Sequence, residues 1–179
     1  MNKREVEIRI RLTADERLDI SNKLEKSGWL PKESAQIDTY YCAELYVNEE
    51  RTKECPYIVR IRTQASGSKI TFKSFTADGS WSELESEISD ALSMSDILTK
   101  LGQQPYLTIN KNRLCGRLGD VEVNIDEIEG LGSFMELELI SDDVDNARLT
   151  LLELAKNLGL QEEDVITKGY VQLMEEVKR

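Results

Sequence analysis

Lys3-Arg4-Glu5-Val6-Glu7-Ile8-Arg9-Ile10-Arg11-Leu12 opens the chain, and from Glu5 onward charged and aliphatic residues alternate without a break. With a period of two, Glu5, Glu7, Arg9 and Arg11 fall on one face and Val6, Ile8, Ile10 and Leu12 on the other. An apolar face that regular belongs against a core, so the stretch reads as a strand. The charged face is less ordinary. Two carboxylates stand about 7 Å apart along it, because each residue of a strand rises about 3.3 Å, and a guanidinium follows. That face suits either a solvated sheet surface or a metal site beside an anion site.

The same alternation recurs along the chain. Thr13-Ala14-Asp15-Glu16 has the form of a capping box and opens a helix, with Leu18, Ile20 and Leu24 as its inner stripe and Gly28 as its end. Residues 36–47 are rich in tyrosine and β-branched types and predict a strand, with a polar loop from Asn48 to Glu54. Ile58-Val59-Arg60-Ile61-Arg62 and Lys69-Ile70-Thr71-Phe72-Lys73-Ser74-Phe75 predict a hairpin turning at Ala65–Ser68. Trp81 to Ile88 places Glu83, Glu85 and Glu87 opposite Leu84 and Ile88. A short helix is expected over Ser95–Leu101, closed by Gly102. Leu107 to Arg113 carries Lys111 and Arg113 on one face. Val121 to Ile128 sets Glu122, Asn124 and Asp126 against Val121, Val123 and Ile125. Phe134 to Leu139 adds Glu136 and Glu138. Asp143–Leu158 predicts an amphipathic helix with Val144, Ala147, Leu151, Leu154 and Leu158 inward, and a last helix starts near Tyr170.

Composition narrows the chemistry. At 179 residues and 40% hydrophobic content the chain suits one globular domain over 1–179. No apolar run approaches the roughly 18 residues of a membrane span, and the N-terminal stretch has no signal-peptide core, so a cytoplasmic location and no membrane partner are expected. Cys42, Cys55 and Cys115 are too few to pair fully and lack metal-site spacing, which fits a reducing compartment. The absence of histidine excludes serine–histidine and cysteine–histidine catalysis and every histidine-ligated metal. A net charge of -11 argues against nucleic-acid binding through the outer surface.

The charges are sorted by strand. Acids lie at 5/7, 83/85/87 and 136/138, and bases at 60/62, 69/73 and 111/113. A surface selected for solubility mixes both signs within a strand. With helices outside on the aliphatic faces, the strands could close with their charged faces inward, giving an α+β fold built on a barrel with a polar interior. Such an interior needs a ligand, because unpaired buried charge is costly. Converging Arg and Lys beside Asp and Glu suit a polyphosphate with its divalent cation: arginine forks onto phosphate oxygens, and oxygen-only ligands suit Mg²⁺ or Mn²⁺.

These residues, in this order, resemble the CYTH superfamily, the triphosphate tunnel metalloenzymes, which includes class IV adenylyl cyclases and thiamine triphosphatases. Glu5-Val6-Glu7-Ile8-Arg9 sits where the family has Glu-x-Glu-x-Lys. Gln36-Ile37-Asp38-Thr39-Tyr40-Tyr41 is similar to its Gln-x-Asp-x-Tyr-aromatic segment. Arg60-Ile61-Arg62, Thr71-Phe72-Lys73 and Lys111-Asn112-Arg113 resemble its basic strands, the run from Ile125 to Glu138 its most recognisable stretch, and Lys168-Gly169-Tyr170 its C-terminal Ser-Tyr element. The resemblance implies a closed, antiparallel, eight-stranded tunnel that binds a triphosphate. By it, Glu5, Glu7, Glu136 and Glu138 ligate Mg²⁺ or Mn²⁺, with Asp126 beside them. Arg9, Arg60, Arg62, Lys73, Lys111, Arg113 and Lys168 hold phosphates. Glu5, Glu7, Arg9 and Asp126 are the implied catalytic set.

Two departures stand out. Arg9 replaces the usual lysine, keeping the charge but unable to accept a proton. The strand after Gly79 lacks the arginine that relatives carry, and Lys69 is the substitute at hand. The expected activity is conversion of ATP to cyclic AMP and pyrophosphate. The alternatives are hydrolysis of tripolyphosphate or of an organic (thiamine or nucleoside) triphosphate, and binding of polyphosphate or nucleotide without turnover. A homodimer is expected only by analogy with the cyclases.

Overall fold

The computed structural model describes residues 4–43, 57–75 and 81–177. The strand expected at 36–47 is β2 (Lys32–Ala43); its last four residues and the polar loop after it lie outside the described residues. The chain is α+β, with a large antiparallel sheet and, among the described residues, four α-helices. It divides into two compact units, one formed by 1–34 with 111–179 and the other by 35–110.

The first unit holds β1 (Arg4–Leu12), α1 (Ala14–Lys26), the second half of β6 (Gln103–Leu118), β7 (Val121–Ile128), β8 (Gly132–Ser141), α3 (Val144–Leu158), β9 (Val165–Ile166) and α4 (Tyr170–Val177). Its hydrogen-bonded strand order is β6-β7-β8-β1-β9. The aliphatic face of β1 is buried as expected, with Ile8 and Ile10 packed among Val123, Ile125, Met135 and Leu137. α1 and α3 cover that face through Ile20, Leu24, Ala147, Leu151, Ala155 and Leu158. The capping box is present: the Glu16 amide donates to Thr13 Oγ1, and Thr13 N–H donates to Glu16. Leu18, expected inside, is 66% exposed, because it lies on the opposite side of the helix from Ile20 and Leu24. β9 was not foreseen; two residues leave no period to read, and Val165 and Ile166 pair with Ile10 and Arg9.

The second unit holds β2, β3 (Tyr57–Gln64), β4 (Gly67–Phe75), β5 (Trp81–Ile88), α2 (Ala91–Lys100) and the first half of β6, in the order β5-β4-β3-β2-β6. The β3–β4 hairpin turns where expected, with Gln64 opposite Gly67 and Gly67 in the left-handed region at φ 133°. α2 starts four residues earlier than expected because Asp90 caps it, accepting from the Leu92 and Ser93 amides. It packs Leu98 against Tyr41, Val59 and Ile61. Leu84, placed by alternation on the aliphatic face of β5 opposite Glu83 and Glu85, is 70% exposed. No described helix is long and apolar enough to cross a membrane.

Candidate functional site

In the first unit the middle of the charged face is buried, while Glu5, Glu7, Glu122 and Glu138 beside it are partly exposed. Arg9, Lys111, Arg113, Asp126 and Glu136 are each less than a tenth exposed. Strand register explains how they meet. Across β6, β7, β8 and β1, Cys115, Asn124, Glu136 and Arg9 stand in one row, and Arg117, Glu122, Glu138 and Glu7 in the next. Arg113 and Asp126 face one another on the other side of the first row.

Arg113 forks onto Asp126, Nε to Oδ1 at 2.7 Å and Nη2 to Oδ2 at 2.6 Å, and its Nη2 also reaches Glu136 Oε2 at 2.5 Å. Arg9 donates through Nε to Glu136 Oε1 at 2.7 Å, through Nη2 to Glu7 Oε1 at 2.9 Å, and through Nη1 to the Lys168 carbonyl at 2.8 Å. Lys111 Nζ lies 3.5 Å from Asp126 Oδ2. The face therefore gathers three cations around two fully enclosed carboxylates. Such pairing is what makes buried charge tolerable.

The pKa shifts follow from this arrangement. Burial opposes ionisation of Glu136, but Arg9 and Arg113 outweigh it and hold the carboxyl well below its usual range. Burial likewise works against the charges of Arg9 and Arg113, and the carboxylates beside them raise both. Glu138 goes the other way: burial, then the charges of Glu136, Glu5 and Glu7, push its carboxyl up to about 8. Glu7 is directly across from Glu138, and Glu5 lies on the same face two residues earlier. Two zones result, one where arginine neutralises Asp126 and Glu136, and one around Glu138 where carboxylates repel each other, with Glu7 at the border bonded to Arg9.

The repelling zone offers only hard oxygen donors. Cys115 faces it, but burial and then Glu122 push its thiol up, so it stays protonated and is a poor soft ligand. This donor set fits a divalent Mg²⁺ or Mn²⁺. Among the described residues, no three acidic or thiol side chains already converge as a metal cage, because Glu136 and Glu7 are turned towards the arginines.

Tyr170 carried no assigned role in the sequence, yet it closes the site from α4. Its hydroxyl donates to Asp126 Oδ2 at 3.1 Å, and its ring lies under the Arg9 guanidinium at 4.3 Å and edge-on to Phe134 at 5.2 Å. Lys168 is placed differently from the sequence reading. Its side chain is half exposed and paired with Glu176, and only its backbone carbonyl reaches Arg9.

The second unit carries its own basic group. Arg62 forks onto buried Asp38 at 2.7 and 2.8 Å, and Arg60 donates to Thr71 Oγ1 at 3.1 Å. The buried Nε of Arg60 has no hydrogen-bond partner among the described residues, an open donor of the kind an anion satisfies. Lys73 pairs with Glu83 at 2.8 Å and Lys69 with Glu85 at 2.7 Å. Asp38, given no role in the sequence, is what holds Arg62; its alternation with Gln36 and Tyr40, all three buried, was the available signal.

Comparison with known proteins agrees with the motifs. The CYTH domain model matches residues 3–170. A protein of Methanocaldococcus jannaschii, provisionally named an adenylate cyclase, is 29% identical over 175 residues, which is 94% of this chain and 98% of the relative. The PH1012 protein of Pyrococcus horikoshii is similar in structure, with a TM-score of 0.81 at 26% identity, over 94% of this chain and 98% of its own. A Hippeastrum protein, HpAC1, described as an adenylyl cyclase candidate with a dominant triphosphatase activity, shares the fold with a TM-score of 0.71 at 15% identity, over 98% of this chain and 96% of its own. With the family model covering nearly the whole chain and its acidic and basic motifs lying on the faces just described, the protein belongs to the CYTH domain family.

Proposed function

We propose that this protein carries out divalent-cation-dependent phosphoryl chemistry on a triphosphate, with ATP converted to cyclic AMP and pyrophosphate as the leading reaction. The observation that carries the reading is the zoned charged face of the first unit: buried Arg9, Lys111 and Arg113 at one end, and partly exposed Glu5, Glu7 and Glu138 at the other. A triphosphate with its cation has the same polarity of charge along its length. The reading includes closure of the strands into an eight-stranded tunnel, residues 1–179 acting as one domain, and Arg60, Arg62 and Lys73 as further phosphate contacts.

Mg²⁺ or Mn²⁺, held by Glu5, Glu7, Glu136 and Glu138, would supply neutralisation of phosphate oxygens and polarisation at phosphorus. The chain's own groups do the rest. Arg9, Arg113 and Lys111 lie where they stabilise charge that develops on the departing pyrophosphate. Asp126, locked by Arg113 and Tyr170, keeps that cationic set in position. In the cyclase reaction the ribose 3′-oxygen bonds the α-phosphorus, the bond from that phosphorus to the α,β-bridging oxygen breaks so that pyrophosphate leaves with that oxygen, and the hydroxyl proton passes to solvent water. Arg9 stays charged at every working pH, so it binds phosphate and takes no proton.

The reading is supported by the chain-length likeness to an archaeal relative named for adenylate cyclase activity. Hydrolysis of the terminal phosphate uses nearly the same residues, and the activity described for HpAC1 makes it the second reading. One assay separates them: purified protein with Mn²⁺ or Mg²⁺ and either ATP or tripolyphosphate, products resolved chromatographically. Cyclic AMP is the expected product. Orthophosphate from tripolyphosphate would replace the cyclase by a hydrolase, and binding with no product from either would leave a non-catalytic module.

A further inference from the structure

One buried acceptor next to the acidic row is unsatisfied. Asn124 is fully enclosed, at 0% exposure, and its Oδ1 has no hydrogen-bond partner among the described residues. The other end of the same carboxamide donates to two carboxylates at once, Glu122 Oε1 and Glu138 Oε1, each at 3.2 Å. An orphaned carbonyl in a closed polar site is destabilising, and a half-turn of the amide would bring it to where the donor now stands.

The surrounding row makes that half-turn meaningful. Glu122, Glu138 and Glu7 are consecutive cross-strand neighbours on β7, β8 and β1. Directly opposed side chains of this kind have Cβ atoms about 5 Å apart, and like charges there repel. The one cation in the row, Arg117, is 59% exposed and reaches Glu122 only at 3.9 Å. Arg113 turns towards Glu136 and Asp126, and Arg9 towards Glu136 with one further contact to Glu7.

We propose that Glu122 and Asn124 are ligands for a divalent cation, which they share with Glu138 and Glu7. This position lies on the acidic side of the face, beyond the Arg113–Asp126 fork, and adds Glu122 and Asn124 to the Glu7 and Glu138 ligands of the proposed function. The inference deepens the triphosphate reading and rests on it for the identity of the cation. The three carboxylates supply charge, and Asn124 Oδ1 supplies a neutral oxygen ligand of the kind hard cations accept. The carboxamide presents its amino group to Glu122 and Glu138, and a cation shared by those carboxylates would be met by the oxygen end of the same amide.

The test is calorimetric titration of Mn²⁺ into the chelator-stripped full chain, with no nucleotide present. Glu122→Gln and Asn124→Leu should each lower Mn²⁺ affinity about tenfold or more, since even outer-shell changes cost about 10–100-fold. Glu127→Gln, an exposed acid on the opposite, aliphatic face of the same strand, should behave as wild type in Mn²⁺ titration. Asn124→Asp should keep or tighten Mn²⁺ binding, and the melting-temperature rise on adding Mn²⁺ should exceed that of wild type. A purely bridging role for Asn124 predicts instead that Asn124→Asp melts lower and gains nothing extra from Mn²⁺. That result, wild-type affinity in Glu122→Gln, or no Mn²⁺ binding by the wild-type chain, would overturn the proposal. Glu122 is only half buried, so its variant reports even where Asn124→Leu fails to fold. Loss of Mn²⁺ affinity in Glu122→Gln with no turnover in wild type would remove the phosphoryl-transfer reading and leave this site standing.

Discussion

Arg113 shows how the buried face is held. It neutralises Asp126 through both carboxylate oxygens and Glu136 through a third contact, so removing it leaves enclosed Asp126 to Lys111 and Tyr170 and enclosed Glu136 to Arg9. Arg113→Met should cost about 3–5 kcal/mol in urea unfolding, the range for breaking a buried pair from one side. Arg113→Lys should recover part of this, because the charge returns but the planar fork does not. Glu138 makes the opposite prediction in pH. Its usual value of 4.5 is pushed up to about 8 in the fold, so between those values the native chain holds a proton that the unfolded chain does not. Its contribution to stability is fully present below 4.5 and is lost as pH rises through about 8. Melting in chelator should therefore decline over that window, and Glu138→Gln should flatten the decline. A curve for Glu138→Gln that falls as steeply as wild type would show that the carboxyl is not the cause.

Individual elements were legible where one period ran undisturbed. β1, β7 and β8 alternate strictly, and their aliphatic faces do meet α1 and α3. Helix ends were legible from chemistry: Thr13 and Glu16 start α1, and Gly159, at φ 97°, ends α3. The sequence misled where alternation continues past the part that is covered. Leu84 fits the β5 pattern but is exposed, since alternation sets the side of a strand and not what packs there. Close packing between elements was not legible at all. Gly116 on β6 lies against the fully buried Trp29, whose indole N–H donates to the Val123 carbonyl at 3.3 Å. A Cβ there would come 2.4 Å from Trp29 Nε1. Gly116→Ala should destabilise the first unit by about 1–3 kcal/mol, as overpacked cores do, measured by chemical denaturation. Unchanged stability would mean that Trp29 can move aside freely.

For the whole molecule, segregation of charge by strand was the informative signal, more than any single motif. It pointed to a buried polar face before any contact was known, and Arg9, Lys111, Arg113, Asp126 and Glu136 are buried together. What alternation could not give was the pairing. Nothing in spacing says that Asp38 holds Arg62, that Tyr170 arrives from the last helix onto Asp126, or that Lys168 offers its carbonyl rather than its ammonium. Those depend on contacts between residues far apart in the chain. The central claim, that this face takes a triphosphate, is tested most directly by calorimetric titration of tripolyphosphate in Mn²⁺ into the wild-type chain and Lys111→Met. Lys111 suits the purpose because it is one of the three buried cations of this face, and a melting curve of Lys111→Met establishes that the variant is folded before it is titrated. The account predicts one tripolyphosphate per chain and an affinity loss of about tenfold or more in Lys111→Met, the equivalent of a charge-assisted hydrogen bond of about 1.5–3 kcal/mol. No binding by the wild-type chain, or equal affinity in Lys111→Met, would contradict it.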